Sequence, residues 1–251
     1  MPSLFQYKSA ICSEKYNLLY FPIPKNASTT IHHWFMREHD LMDDLHEYSK
    51  KNPSKTHNFC RLRLGLNRRV SYKYLEKFLA KNDFFTFSVV RNPWARFASC
   101  YIQKFIVSKL EGFNLGINSL FYKDNSKRIS FNDLLYYVLN VSDDELDPHL
   151  KPQSYFVPED LKVNIFDMDH LDALVQKLNN EFDFNASLDL KMKKTKCCDI
   201  DISGCLGDIS ASLLNQPLSS YLDYRNFYSP ESAKKLLIRY KDDVDRFGYT
   251  F

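Results

Sequence analysis

The stretch "PIPKNASTTIHHWF", residues 22–35, puts a lysine and three hydroxyl side chains into one short turn. Lys25, Ser28, Thr29 and Thr30 follow an apolar, β-prone run. They precede Ile31, Trp34 and Phe35, which recur at helical spacing. A helix N-terminus carries unpaired N–H groups and partial positive charge, so such a turn suits an anion. Lys25 adds a full charge and the hydroxyls add donors. Asn26 and Ala27 sit where the backbone would meet the ligand. A second turn, "VVRNPWARFASCY", places Arg91 at the end of an apolar run and Ser99 eight positions on, about two helical turns later. An arginine fork and a serine hydroxyl suit a second, separate phosphate. Arg96 reads equally as a further phosphate contact or as a surface charge. One turn per phosphate fits a nucleotide phosphorylated at both ends. The GxxxxGK[ST] glycines of a Walker loop are missing and no acidic pair for magnesium stands out, which disfavours a P-loop kinase or triphosphatase.

Histidine titrates near neutrality and is the usual side chain for general acid–base work. There are seven: His32, His33, His39, His46, His57, His149 and His170. His32 and His33 lie beside the first turn and are expected to pack or face solvent. His57, in "SKTHNFCRLRL", lies between the two turns in an expected loop. His149 stands with Pro152 and Gln153 in "DPHLKPQSYF". After His57 comes a basic run, Arg61, Arg63, Arg68 and Arg69, which either lines a path to an anionic acceptor or forms a solvated face.

The elements that must position these residues are readable from periodicity. "YNLLYFPI" (16–23) and "FFTFSVV" (84–90) read as buried strands, the second as a central parallel one. "VNIFDM" (163–168) reads as a third. Helices are expected over 29–39, with Ser28 or Thr29 as N-cap, and over 71–82, with Leu75, Phe78 and Leu79 buried. Others are expected from Pro93 onward, over 131–140 and over 169–182. "DLMDDLHEYSKKNPSKTHN" reads as a helix end plus a loop, and 112–130 as a loop. A last helix starts with Ser229 and Pro230, buries Leu236, Leu237, Tyr240, Val244 and Phe247, and stops at Gly248. Strand–helix alternation implies an α/β domain with a mainly parallel central sheet flanked by helices, whose strand-to-helix turns are the natural ligand sites.

Composition sets outer limits. The chain has 251 residues, 44% of them hydrophobic, enough for a substantial core, and a formal net charge of +3, too weak to indicate nucleic acid. No run reaches the roughly 18 apolar residues of a membrane span. The start "MPSLFQYKSAICSEKYN" lacks a signal-peptide pattern, so a cytoplasmic location is expected, or a Golgi lumen if an N-terminal anchor has been removed. The six cysteines are scattered. The cluster "CCDIDISGC" lacks a nearby histidine, so thiols or a disulfide are expected there rather than a metal site.

"PKNAST" followed by "VVRNPWARFASCY" resembles the two nucleotide-binding elements of sulfotransferases, in particular the family of carbohydrate sulfotransferases and their bacterial relatives. "DPHLKPQSYF" resembles that family's His-x-x-Pro-Gln segment and "YKDDVDRFGY" its C-terminal ending. Asp169 and His170 depart from the family pattern and inherit no role. The resemblance covers most of residues 17–249 and implies one P-loop-like domain over 1–251. Its nucleotide elements would lie at about 22–32 and 88–101, and its acceptor-side insertions at about 40–75 and 110–160. It implies 3′-phosphoadenosine 5′-phosphosulfate as donor, 3′-phosphoadenosine 5′-phosphate as product, a saccharide or glycan acceptor and no metal. Lys25, Asn26, Ala27, Ser28, Thr29 and Thr30 would hold the phosphosulfate, and Arg91 and Ser99 the 3′-phosphate. Lys25 and His57 would be catalytic, with His149 as the alternative base. His149 and Gln153 would contact the acceptor. A non-catalytic nucleotide- or glycan-binding relative is the competing reading, and the intact Lys25, His57, Arg91 and Ser99 argue against it.

Overall fold

The computed structural model describes residues 4–52, 56–107, 129–188, 197–198, 205–209, 218–220 and 223–251. In chain order the main elements are α1 (Leu4–Ser9), β1 (Ile11–Ser13), β2 (Leu18–Phe21), α2 (Ser28–Glu38), α3 (Met42–Lys51), α4 (Thr56–Leu64), α5 (Leu75–Lys81) and β3 (Phe85–Val90). There follow α6 (Pro93–Tyr101), α7 (Phe131–Asn140), β4 (Asn164–Asp167), α8 (Leu171–Phe182), β5 (Cys197–Cys198), β6 (Leu218–Ser220), α9 (Pro230–Arg239) and α10 (Lys241–Phe247). The chain divides into two units, 1–91 with 153–192 and 92–152 with 193–251.

The first unit holds a four-stranded sheet in the order β1-β2-β3-β4. β2, β3 and β4 run parallel, with Leu19 opposite Thr86 and Ser88 opposite Ile165. β1 pairs antiparallel with β2, so the sheet is mixed, with the two pairings among β2, β3 and β4 parallel as expected. Three-residue β1 is too short to show a period in the sequence. Every residue of β2 is buried, because side chains alternate between two covered faces. Leu18 and Tyr20 join Phe87 and Val89 against Ile31, Trp34 and Phe35 of α2, Phe59, Cys60 and Leu64 of α4, and Leu171, Leu174 and Leu178 of α8. Tyr20 and Phe87 stack there at 5.0 Å between centroids. Leu19 and Phe21 face the other way, onto Tyr7, Leu66 and Leu75, with Phe78 and Leu79 packed alongside.

The second unit is built around α6, α7 and α9. Trp94, Phe97, Tyr101, Phe131, Leu134, Phe227 and Leu236 belong to one buried cluster. Asn92 caps α6 by accepting from the amides of Trp94 and Ala95, and Pro93 takes the first helical position. β5 and β6 pair antiparallel.

Three sequence expectations change. Residues 42–51 are a helix, not a loop. Only Leu45 of α3 is buried, so its apolar stripe is too thin to read, although Asp43 and Asp44 at one end and Lys50 and Lys51 at the other suit the helix dipole. His57 lies on a helix, α4, whose buried residues are Phe59, Cys60 and Leu64. The C-terminal helix is two helices meeting at Tyr240, and Leu237 is exposed. Ser229 does cap α9, in a box with Ser232, and Gly248 does end α10 at φ 73°. The loop expected over 112–130 lies outside the described residues up to 128. Among the described residues no helix is long and apolar enough to cross a membrane.

Candidate active site

The turn between β2 and α2 takes an uncommon backbone path. Lys25 has φ 74° and Ala27 φ 54°, both left-handed and neither a glycine. Each such position costs on the order of 1–3 kcal/mol and persists only where its surroundings hold it. Alternating left- and right-handed residues turn their N–H groups into a concavity that suits an anion. Ala27, not Ser28 or Thr29, occupies the N-cap position, and no side chain caps the helix. The expected cap is therefore absent. The first helical bond runs from Ile31 N to Ala27 O at 3.1 Å. The amides of Ser28, Thr29 and Thr30, one turn ahead of it, have no carbonyl within the helix to donate to. Lys25, Thr29 and Thr30 keep solvent access, while Ser28 is buried.

Behind the turn sits a buried carboxamide pair. Asn26 Nδ2 donates to Gln153 Oε1 at 2.6 Å and to Val89 O at 2.9 Å. Gln153 Oε1 also accepts from Arg91 N at 2.9 Å, and Gln153 Nε2 donates to Arg91 O at 2.8 Å. Gln153 is 0% exposed. Sequence reasoning places Gln153 against an acceptor; the bonds seen for its amide run to Asn26 and Arg91, so that it braces the two strand-ending turns against each other. Asn26 is equally buried and fixes the backbone on either side of it.

His57 and the turn are brought together. His57 Nε2 lies 3.0 Å from Thr29 Oγ1, and His57 Nδ1 lies 3.1 Å from Nδ1 of His32. His32 Nδ1 also contacts Ser28 O. A carbonyl oxygen only accepts, so His32 carries its proton on Nδ1. Burial first, then the neighbouring His57, push His32 down to about 3, so it stays neutral and its Nε2 is bare. The His57 ring thus lies between Thr29 Oγ1 and the buried His32, one nitrogen towards each. In sequence, His32 reads only as a packing or solvent-facing residue. Its spacing of four from Ser28, on the face of α2 that α4 covers, was the available signal.

The other candidates lie in the second unit, apart from Arg91, which follows β3 and is half-buried. Ser99 is the one residue of α6 that is not buried. Arg96 is 2% exposed and donates to Lys151 O at 2.8 Å. It is thus neither a surface charge nor an open phosphate contact, but a strut for the segment before Gln153. His149 Nδ1 lies 2.7 Å from Asp147 Oδ1. Burial raises the Asp147 pKa, and the bonds from His149 outweigh it, so the carboxyl ends below its ordinary value. Among the described residues no three histidine, cysteine or acidic side chains form a metal cluster. Cys12, Cys60 and Cys100 are buried free thiols.

A family model described as "Sulfotransferase family" matches residues 8–250, nearly the whole chain. No curated protein and no solved structure gives a match.

Gln153→Ala removes an acceptor from Asn26 and from Arg91 N. Leaving such groups buried and unpaired costs about 1–3 kcal/mol each, so thermal unfolding should show a clear loss of stability. An unchanged melting temperature would count against the brace. His32 predicts a pH effect. Folded, it takes a proton only near pH 3; unfolded, near its ordinary value of about 6.5. Between these limits the unfolded chain binds the extra proton, so stability falls as pH falls, by up to about 1.4 kcal/mol per pH unit. Denaturant titrations from pH 7 to 4 should show that His32→Asn, which keeps a donor in the Nδ1 position, loses one proton's worth of this slope.

Proposed function

The chain belongs to the sulfotransferase family, and we propose that it moves a sulfuryl group from 3′-phosphoadenosine 5′-phosphosulfate to a hydroxyl of a carbohydrate acceptor. Family membership makes it a transferase. The observation that carries the finer reading is an uncapped helix start beside Lys25, with His57 within hydrogen-bond distance of Thr29 in that same start. An anion cradle and a candidate base meet there.

In the proposed step the acceptor oxygen attacks sulfur. The bond between sulfur and the bridging oxygen of the 5′-phosphate breaks, and 3′-phosphoadenosine 5′-phosphate leaves with the electron pair. The hydroxyl proton passes to His57. Negative charge grows on the bridging oxygen, where Lys25 and the amides of Ser28, Thr29 and Thr30 stabilise it. Arg91 and Ser99, the pair assigned by resemblance, bind the 3′-phosphate. To act as base, neutral His57 must offer a bare ring nitrogen to the acceptor hydroxyl.

Arg91→Ala should weaken titrated binding of 3′-phosphoadenosine 5′-phosphate more than Lys25→Ala does, since a hydrogen bond to a charged group is worth roughly 1.5–3 kcal/mol in the ground state. The loss in Lys25→Ala should fall on kcat. A Lys25→Ala enzyme with intact kcat and reduced nucleotide affinity would undo that division. His57→Ala should lower kcat by about 10²–10⁴-fold and leave donor affinity nearly intact. Steady-state kinetics with both substrates varied also separates the two histidines. Near-normal kcat in His57→Ala together with collapse in His149→Ala would make His149 the base.

A further inference from the structure

His32 is a buried imidazole with no part in the proposed transfer step. It lies in α2 and is 1% exposed. Among the described residues no hydrogen-bond partner reaches its Nε2. Burying a polar atom without a partner is unfavourable, and an apolar residue of similar size would pack there without that cost. A side chain that weakens the core needs another reason to be there, and proton transfer is not it. Burial first, then His57, with Arg61 and His33 adding to them, push its pKa down to about 3, so the ring stays neutral.

The packing around His32 supplies the reason. Tyr20 of β2 stacks on Phe87 of β3 at 5.0 Å between centroids and meets the His32 ring edge-on at 6.0 Å. His32 in turn meets His57 edge-on at 4.6 Å and 84°, with the two Nδ1 atoms 3.1 Å apart. Its Nδ1 also contacts Ser28 O, one turn earlier in α2. A line of rings thus runs from the sheet to His57. His57 is the second residue of α4 and half-buried. Helix ends open most readily, so the backbone alone does not fix its ring. With Nδ1 set against His32, its Nε2 edge faces Thr29 Oγ1, 3.0 Å away. His32 and Thr29 both belong to α2, so the proposed base and the anion cradle are referred to one helix. Proton transfer demands such alignment, since a misplacement of about 1 Å can lower a rate about 10²-fold.

We propose that His32 is a positioning residue for His57: it touches no reacting atom and serves the reaction by holding the ring of the base towards the start of α2. The inference rests on the sulfuryl-transfer reading for what His57 does. The hold of one ring on the other stands on its own contacts.

The test compares His32→Leu, which removes both nitrogens, with His32→Asn, which keeps a donor in the Nδ1 position. Histidine-labelled protein is followed by NMR, with the His57 signals identified by their loss in His57→Gln. The His57 ring should be as ordered as rigid backbone in the parent and in His32→Asn, with an order parameter of about 0.85, and should drop below about 0.6 in His32→Leu. Turnover is measured as transfer from radiolabelled 3′-phosphoadenosine 5′-phosphosulfate to a pool of hexosamine-containing oligosaccharides. His32→Leu should lower kcat by about 10²-fold, with nucleotide Kd and acceptor KM within about twofold of the parent, and His32→Asn should recover most of that loss. The melting temperature of His32→Leu at neutral pH should equal or exceed the parent's, because an unpartnered buried atom is gone. A purely structural role would instead make turnover and stability fall together. A His57 ring in His32→Leu as ordered as in the parent, an unchanged kcat, or a joint fall of kcat and melting temperature that His32→Asn does not repair would each overturn the inference. A parent that sulfates no sugar in the pool would sink the carbohydrate reading, and the ring order would still decide whether His32 holds His57.

Discussion

The carboxamide of Gln153 is the contact on which the arrangement of the first unit turns. Its oxygen accepts hydrogen bonds from Asn26 Nδ2 and the Arg91 amide, and its nitrogen donates one to the Arg91 carbonyl. Two strand-ending turns that are far apart in sequence are thereby held in one register. The left-handed residues Lys25 and Ala27 flank the asparagine that is held. A backbone path that costs energy at two positions needs a fixed point between them, and the buried amide pair provides it. No aliphatic side chain could replace Gln153 here, because its neighbours would be left with unmet polar atoms in the interior.

The same logic explains why the turn works without glycine. A Walker loop uses glycines to reach left-handed angles at no steric cost. In this chain a lysine and an alanine take those angles under constraint, and the helix that follows starts without a side-chain cap. An unsatisfied helix start is unfavourable in isolation. It becomes useful when an anion of the right shape supplies the missing acceptor. Lys25, Ser28, Thr29 and Thr30 thus stand out as residue types while the strain that arms them is carried by the backbone.

Much of this was legible in the sequence. The three parallel strands announced themselves as apolar runs, and the two charged turns as breaks in them. Ser229, Pro230 and Gly248 marked the last helical segment, though not the interruption at Tyr240. Hidden features share a physical cause, which is that they depend on partners distant in the chain. α3 and α4 each bury at most three side chains, so their periodicity is faint. Gln153 reads as an acceptor contact, because nothing local reveals Asn26 and Arg91 around it. His32 looks like a packing residue until α4 lays His57 against it. Arg96 looks like a surface charge because nothing local reveals the carbonyl of Lys151 waiting for its guanidinium.

The order of the sheet has a consequence in time. β3 ends at Val90, and the strand that covers its far edge, β4, begins at Asn164. The whole of segment 92–152 comes off the ribosome between them, and it belongs to the other unit. Gln153 is the first residue after the chain returns. The amino-terminal portion of the sheet must therefore wait, with a bare strand edge and an unbraced Asn26, until more than half the polypeptide has been made. Non-local parallel pairing of this kind closes slowly, and exposed edges invite mispairing while it does. The turn between β2 and α2 is therefore among the last features of its unit to be set, since its brace is absent until translation has passed residue 153.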